Sequence, residues 1–310
     1  MTTPRYRLIC SLWAGLIALS AGGPARAGEG PFAWIYTLDL QPQGTWQFEQ
    51  WEWLQAGQSQ GQYASLTNRS ELEYGFRPWY QVGVYINTDY TYANQNGPDG
   101  TTRGPNTNID PNSDPMAPYS SFRFKSVSME HIIRFLNPYT DPFGFGLYFE
   151  PAIGPYGYEL EMKILLQKNF FDDRLVLAAN IVFESEQEWR SGTTEYASVL
   201  DTLVGASYRF ADNWAFGVEF RNHREFSGQA YNAPEHSAYF LGPTIHYANE
   251  RWWATLGWRH QLPLAVGFND DQQSVIVDNR IYGDEHSRDE FMLRVGIPFG
   301  GSGRTMYREH

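Results

Sequence analysis

Apolar and polar residues alternate with a period of two on both sides of a turn at Arg77-Pro78. Nearly every second residue across Leu72–Phe76, and again across Tyr80–Tyr92, is apolar or aromatic, and the residues between them are mostly polar, charged or glycine. Successive side chains of an extended strand point to opposite faces of a sheet. The pattern therefore predicts an antiparallel hairpin with one apolar face and one polar face.

The same alternation continues along the chain and predicts twelve strands in total. They are Gly44–Leu54, the two strands of the hairpin within Ser70–Tyr92, Ser121–Leu136, Phe143–Ile153, Tyr156–Gln167, Arg174–Ser185, Ser198–Phe210, Trp214–Phe226, Ala238–Ala248, Trp252–Leu262 and Glu290–Phe299. In the first and fourth strands the apolar residues change parity. One extra residue near Gln50 and another near Ser126 would restore a common face, so a β-bulge is predicted at each position.

Short and long connections alternate between these strands. The connections after strands 2, 4, 6, 8 and 10 are short, whereas those after strands 3, 7, 9 and 11 are long and those after strands 1 and 5 are intermediate. The longest connections are Asn94–Ser120 and Leu264–Asp289. Bacterial barrels have short periplasmic turns and longer outer loops. The prediction is an all-β, up-and-down antiparallel transmembrane β-barrel of about twelve strands, with both termini periplasmic.

The N-terminus has the features of a secretory signal peptide. Arg5 and Arg7 precede the apolar run Leu8–Leu19, and Ala25-Arg26-Ala27 is an A-x-A cleavage site. The predicted organisation is a signal peptide at 1–27, a periplasmic lead-in at 28–43, the barrel at 44–299 and a C-terminal tail at 300–310. The lead-in could instead enter the barrel mouth.

Composition supports a barrel and argues against membrane-spanning helices. Trp, Tyr and Phe total 51 residues, yet the mean hydropathy is only −0.48, and no apolar run reaches 18 residues. A transmembrane strand needs lipid-facing residues only at every second position. A secreted β-sandwich is the soluble alternative.

Charge and cysteine content narrow the chemistry further. The only cysteine, Cys10, lies in the leader, so the mature chain forms no disulfide and performs no thiol chemistry. Without the leader the chain has 20 basic and 35 acidic residues, a net charge of −15. This acidic balance argues against a nucleic-acid partner.

The signal peptide, the up-and-down strands and a last strand that ends in Phe299 resemble bacterial (Gram-negative) outer-membrane β-barrel proteins across the mature chain. The chain departs from that pattern because residues 300–310 follow Phe299. A shorter motif is similar to one in proteobacterial porin- or transporter-like barrels of unassigned function: Tyr36-x-x-Asp39-x-x-Pro42-x-Gly44, followed by Glu49 and Trp51. The resemblance implies an outer-membrane location and transport, and it supplies no active residues.

If the apolar stripes face lipid, the opposite parity faces the lumen. The predicted pore-lining residues are Glu71, Glu73, Asp89, Arg123, Lys125, Glu159, Glu161, Lys163, Arg209, Glu219, Arg221, His223, Glu225, Arg259 and Arg294. Opposite charges on facing walls could create a transverse field for polar solutes, and an acidic surplus would favour cations. Alternatively, these charges pair and fill a barrel narrower than the 16–18-stranded porins.

Strand 9 has the densest charged patch, with Glu219, Arg221, His223 and Glu225 at every second position. This spacing could select a solute or form an acid–base pair, although a ladder of ion pairs is the simpler interpretation. The pattern indicates neither a hydrolase nor a metal site. No His-x-Ser motif points to a nucleophile, and the seven histidines have no ligand spacing.

A calcium-like loop sequence and a set of aromatic residues near strand ends are two smaller features of the chain. Asp110–Asp114 resembles the start of a calcium loop but lacks the glycine and glutamate that an EF-hand requires. Aromatic residues near strand ends are typical of interfacial girdles. They are Trp46, Trp51, Trp53, Trp79, Tyr80, Tyr90, Tyr92, Trp214, Trp252, Trp253 and Trp258. Tyr85 and Tyr148 have the inward parity.

The leading functional hypothesis is a narrow channel or porin for small polar or cationic solutes. A structural or adhesive barrel that acts through its outer loops is the first alternative, and an outer-membrane hydrolase is the second. The expected partners are outer-membrane lipid and lipopolysaccharide, the barrel-assembly machinery and the solute. No cofactor, metal or nucleic acid is expected.

Overall fold

The computed structural model describes residues 30–96, 114, 116–190, 193–283 and 286–300. The predicted signal peptide, residues 301–310 of the predicted tail and the greater part of the calcium-like loop lie outside this range. No helix in the described part of the chain is long and apolar enough to cross a membrane.

Twelve long strands run through the described residues. They are β1 (Trp46–Ala56), β2 (Gln62–Arg77), β3 (Tyr80–Asn94), β4 (Tyr119–Leu136), β5 (Gly144–Gly154), β6 (Gly157–Phe170), β7 (Leu175–Arg190), β8 (Thr193–Ala211), β9 (Trp214–Ser227), β10 (Pro234–Ala248), β11 (Trp253–Gln261) and β15 (Asp289–Phe299). The chain between β11 and β15 forms four short elements: β12 (Val266–Gly267), α1 (Asp270–Ser274), β13 (Ile276–Val277) and β14 (Arg280–Ile281).

The twelve strands form one closed antiparallel sheet. Each strand pairs with the next along the chain, β11 pairs with both β10 and β15, and β15 pairs with β1 from Trp46↔Phe299 to Ala56↔Asp289. The last pairing closes the barrel, so no strand of the wall is left with an unpaired edge. The predicted fold class is confirmed.

The two faces of the wall differ as the alternation predicts. Val84 and Ile86 point outward and are 44% and 55% exposed, whereas Tyr85 between them points inward and is fully buried. The same alternation recurs around the barrel, with apolar side chains outside and polar ones inside. We call the end where β1 begins and β15 ends the short-turn end, and the opposite end the long-loop end.

One of the two predicted bulges is present. The pairing of β4 with β3 shifts between Ser126 and Phe124, which leaves Lys125 as the extra residue. This bulge was predicted near Ser126. The bulge predicted near Gln50 is wrong, because β1 pairs without interruption with both β2 and β15.

The unbroken register of β1 places two tryptophans inside the barrel and two polar residues outside. Trp51 and Trp53 point inward, so their assignment to an outer aromatic girdle is wrong. Gln50 and Glu52 point outward, where Gln50 Nε2 donates to Glu52 Oε1 over 3.1 Å and Ser70 Oγ donates to Gln50 Oε1 over 2.6 Å. The inward orientation of Trp51 brings it into contact with Tyr36 and Arg294 inside the lumen.

The predicted alternation of short and long connections holds only in part. The connection after the seventh strand was predicted to be long, but β7 ends at Arg190 and β8 begins at Thr193. Residues 186–190 pair with residues 193–197 across the two strands, although both stretches are polar and contain Glu. Polarity alone therefore did not mark the end of these strands.

The connection between β11 and β15 folds back into the mouth of the barrel. Ile281 is buried against Ala238 and Phe240, two inward residues of β10. The side chain of Gln261 at the end of β11 donates to the carbonyl of Ile281 over 2.9 Å. These contacts hold the connection against the inner wall at the long-loop end.

The orientation of β3 generates a direct test. We expect Val84→Arg to impair assembly, because it places a charge near mid-wall on the lipid-facing side at a cost of about 2–4 kcal/mol. The yield of folded barrel, measured by heat-dependent mobility on gels, checks this. Gln62→Arg is the control, because Gln62 is an exposed residue at the long-loop end of β2. An equal yield for both variants would contradict the assigned orientation.

Candidate functional site

Residues 30–44 form the N-terminal segment, and residues 30–41 of it lie inside the barrel. Phe32, Ala33 and Leu38 have no exposed surface, and Ile35 has 1%. The periplasmic placement predicted for this stretch is therefore wrong, and the alternative, entry into the barrel, is what the structure shows. The apolar side chains explain the difference, since burial within the lumen removes them from water.

The N-terminal segment is held through its backbone. Glu219 on β9 accepts hydrogen bonds from the amides of Ala33 (2.6 Å), Trp34 (2.9 Å) and Ile35 (3.1 Å). Further amides bond to side-chain oxygens on other strands: Tyr36 to Asn180 (2.7 Å), Leu38 to Gln167 (2.7 Å) and Gln41 to Gln81 (2.8 Å). A buried amide without a hydrogen-bond partner destabilises the fold. Inward polar side chains therefore accept the hydrogen bonds that the carbonyls of a neighbouring strand would accept in a sheet.

Glycines on the wall make room for this segment. A methyl group added at Gly205 would lie 2.6 Å from Ile35 Cδ1 and 2.7 Å from Phe32 Cε1, and one at Gly146 would lie 2.5 Å from Leu38 Cδ2. Contacts this short require one partner to move. The absence of a side chain at these inward positions therefore lets the segment pack against the wall.

An aromatic and cationic cluster anchors the middle of the segment. The rings of Tyr36 and Trp51 have centroids 5.8 Å apart. Arg294 Cζ lies 3.8 Å from the centre of Trp51, and Arg294 Nε donates to Glu49 Oε1 over 2.6 Å. Lys163 Nζ lies 3.8 Å from the centre of Tyr36. Cation–π contacts strengthen when they are desolvated, so this cluster favours an inward Trp51 over one in the outer girdle.

Above the N-terminal segment, towards the long-loop end, the lumen contains a cavity of about 1020 Å³. Trp34 and Tyr36 form part of its lining. Its charged lining comprises eleven acidic and six basic residues: Asp89, Glu150, Glu159, Glu161, Glu184, Glu186, Glu188, Glu195, Glu225, Glu235 and Glu290, with Arg69, Arg123, Lys125, Lys163, Arg221 and Arg259. The cavity is therefore acidic.

Several of these charges form ion pairs inside the lumen. The nitrogen–oxygen separations are 2.5 Å for Arg69–Glu150, 2.7 Å for Arg123–Asp89 and 2.8 Å for Lys163–Glu161 within β6, and Arg259 also pairs with Glu290. Carboxylates meet on β6 and β7, where oxygens of Glu159, Glu184 and Glu186 lie within 4.8 Å of one another. Like charges this close repel, so this part of the wall attracts cations.

The fifteen residues predicted to line a pore fall into three groups. Ten line the cavity: Asp89, Arg123, Lys125, Glu159, Glu161, Lys163, Arg221, His223, Glu225 and Arg259. Glu71, Glu73, Glu219 and Arg294 are buried in the lumen outside that cavity. Arg209 lies at the short-turn end, where it donates to the carbonyl of Asp172 over 3.2 Å.

The charged patch on β9 forms a ladder along its own strand only in part. Glu219 binds the N-terminal segment, whereas Arg221 and His223 both contact Asp201 on β8. Glu225 lies 3.5 Å from the Nε2 atom of His236 on β10. Within β9 itself, Arg221 lies 2.9 Å from His223 Nδ1, and His223 Nε2 lies 3.8 Å from Glu225 Oε2. The predicted ladder therefore joins these three residues, and Glu219 serves the N-terminal segment instead.

A family comparison covers both the barrel and the N-terminal segment. The model of a family described as "Family of unknown function (DUF6662)" matches residues 24–299. The chain belongs to this family. No curated protein is detectably similar to it in sequence.

Solved structures similar to this DUF6662 protein are outer-membrane barrels. The COG4313 outer membrane channel from Pseudomonas putida F1 has a TM-score of 0.56 at 8% identity, over 84% of this chain and 97% of that chain. The NanC porin has a TM-score of 0.48 at 9% identity, over 82% and 100%. The translocator domain of the autotransporter NalP from Neisseria meningitidis has a TM-score of 0.42 at 11% identity, over 85% and 91%. At 8% identity, the similarity to the COG4313 channel shows the fold alone.

Sequence reasoning missed the residues that hold the N-terminal segment of this DUF6662 protein. A signal was present in β7, where Leu175–Ile181 is apolar on both parities except for Asn180. A strand that is apolar on both faces is buried on both faces. Val176 and Ala178 do pack on Phe32 and Ile35, and Asn180 binds the backbone of Tyr36.

We expect Glu219→Ala to loosen the N-terminal segment, because three buried amides lose an ionised acceptor worth about 1.5–3 kcal/mol per hydrogen bond. Chymotrypsin should then cut the folded barrel faster at Phe32, Trp34 or Tyr36. Glu225→Ala is the matched control, since Glu225 lies on the same face of β9 but contacts His223 and His236 and not the N-terminal segment. Equal cleavage rates for the two variants would contradict the holding role of Glu219.

Proposed function

We propose that this protein is an outer-membrane channel for small polar or cationic solutes. In this proposal both chain termini are periplasmic, and the long-loop end faces the exterior. The observation that carries the proposal is the acid-rich cavity of about 1020 Å³ inside a closed barrel. A barrel whose only role was to display loops would have no need of such a lumen.

The charge distribution supports a preference for cations. Carboxylates outnumber basic groups in the cavity, and the acidic cluster of Glu159, Glu184 and Glu186 lies on its wall. Rings and patches of carboxylates raise the local concentration of cations and oppose anions. Ion pairs elsewhere in the cavity hold opposite charges side by side and suit solutes with polar groups of both kinds.

The N-terminal segment provides the narrow part of the proposed pathway. Next to the segment, beside Thr37, Asp39 and Arg294, a second cavity measures only about 10 Å³, roughly the room for one water molecule. Passage of a solute past this level therefore requires the segment to shift. We accordingly propose a low conductance that depends on how firmly the segment is held.

Single-channel recording in a planar bilayer tests the proposal. The wild-type protein should give small discrete conductance steps, and Glu219→Ala should give larger steps because its segment is held less firmly. Glu52→Ala, which removes an outward-facing carboxylate, is the control and should match the wild type. A folded protein that stays silent in all three forms would refute the channel and favour a barrel acting through its loops.

The acidic cluster should determine ion selectivity. We expect the double variant Glu184→Gln/Glu186→Gln to move the reversal potential in a potassium chloride gradient towards zero, because it removes two carboxylates from the cavity wall. Glu52→Gln makes the same chemical change on the outside of β1 and should leave the reversal potential unaltered. If both variants keep the wild-type potential, these residues do not face the conducting path.

A further inference from the structure

Four side chains converge at the long-loop end of the lumen although they come from three separate parts of the chain. His223 and Glu225 lie at alternate positions of β9, and His236 on β10 is paired directly opposite Glu225. His286 lies in the connection that leads into β15. A nitrogen or oxygen atom from each of the four residues lies within 4.8 Å of the others.

The spacing of these atoms suits a single metal ion. His236 Nε2 lies 2.9 Å from His286 Nε2 and 3.5 Å from Glu225 Oε2, and His223 Nε2 lies 3.8 Å from the same oxygen. Ligands 2.0–2.2 Å from a tetrahedral Zn²⁺ are about 3.3–3.5 Å apart. These three separations are within about half an ångström of that spacing, and the remaining pairs of ligand atoms lie within 4.8 Å, so small side-chain rotations would bring all four atoms to one ion.

The orientation of the rings also points to a ligand. His223 is 7% exposed, and its Nε2 atom is buried without a hydrogen-bond partner. Its other nitrogen, Nδ1, lies 2.8 Å from Asp201 Oδ1. An imidazole that donates from Nδ1 to a carboxylate presents the lone pair of Nε2 to a metal, which is the usual outer-shell arrangement in metal sites.

His286 is oriented in a similar way by the backbone. Its Nδ1 atom lies 3.2 Å from the carbonyl oxygen of Gly283, which can accept a hydrogen bond from it. At His223 there is a competing contact, because the Arg221 guanidinium lies 2.9 Å from Nδ1. Metal binding at Nε2 requires the tautomer in which Nδ1 donates to Asp201, and Arg221 then pairs with Asp201 alone.

We propose that His223, Glu225, His236 and His286 form a binding site for one divalent transition-metal ion of the Zn²⁺ type. Three imidazoles and one carboxylate suit such an ion better than Ca²⁺ or Mg²⁺, which prefer all-oxygen sites. His223, Glu225 and His286 line the cavity, which gives the ion a route of entry. The bound ion would tie the connection between β11 and β15 to the inner wall. This proposal does not depend on whether the barrel conducts.

Isothermal titration of the full-length mature protein, refolded and freed of metal with a chelator that is then removed, tests the site with Zn²⁺ as the probe. One Zn²⁺ should bind per chain, and Ca²⁺ should not compete. His236→Ala and His286→Ala should each weaken binding at least tenfold. Asp201→Asn should weaken it about 10- to 100-fold, as loss of an outer-shell partner does. Cobalt(II) absorption provides a second readout of tetrahedral coordination.

His260→Ala is the matched control. His260 lies at the same end of the barrel, but its Nδ1 atom pairs with Asp289 Oδ1 over 2.8 Å. The His260→Ala variant should therefore bind Zn²⁺ with the affinity of the wild type. The site is overturned if the wild type binds no Zn²⁺, or if His236→Ala and His286→Ala bind it as tightly as His260→Ala.

Protease sensitivity checks the proposed link to the wall without relying on affinity. Trypsin can cut after Arg280 and Arg288, which flank the segment that carries His286. Zn²⁺ should slow this cleavage in the wild type and leave it unchanged in His286→Ala, whose substitution lies outside all of the strands. Equal protection of both proteins by Zn²⁺ would contradict the tie to the wall.

Discussion

Closure of the sheet is the constraint on which the rest of this structure depends. The pairing of β15 with β1 gives the wall no free edge, so the backbone amides and carbonyls within it bond to one another in a setting where lipid offers them no partner. Each wall residue then has only two possible directions, towards lipid or towards the lumen. The inward side chains are left to bind whatever occupies the lumen.

The N-terminal segment is the first such occupant. It has no strand beside it, and its amides bond instead to carboxylate and amide side chains on β3, β6, β7 and β9. The lumen is thereby divided along its length. Polar residues towards the short-turn end hold the segment, and those towards the long-loop end surround the acidic cavity. Inward polar residues thus either hold the N-terminal segment or line the cavity, and the parity of a residue in its strand does not show which of the two it does.

The motif that begins at Tyr36 acquires a physical meaning in this setting. Tyr36 packs on Trp51, Trp51 lies under Arg294, and Arg294 is bound by Glu49. These contacts join the segment to both strands that close the barrel, because Trp51 and Glu49 lie on β1 and Arg294 lies on β15. The family match, which begins at residue 24, includes the segment together with the wall.

The alternation of apolar and polar residues was sufficient to predict the strands, the closed up-and-down barrel, the bulge near Ser126 and the inward parity of most charged residues, because alternation is a local property of an extended chain. It did not determine the direction of β1 near Trp51, since two tryptophans on one parity can suit lipid or a packed lumen equally well. Nor did it reveal the N-terminal segment in the lumen, or the meeting of His223, His236 and His286. Those depend on the register between paired strands and on how the N-terminal segment and the connection before β15 fold into the lumen, and only the closed tertiary structure brings such distant positions together.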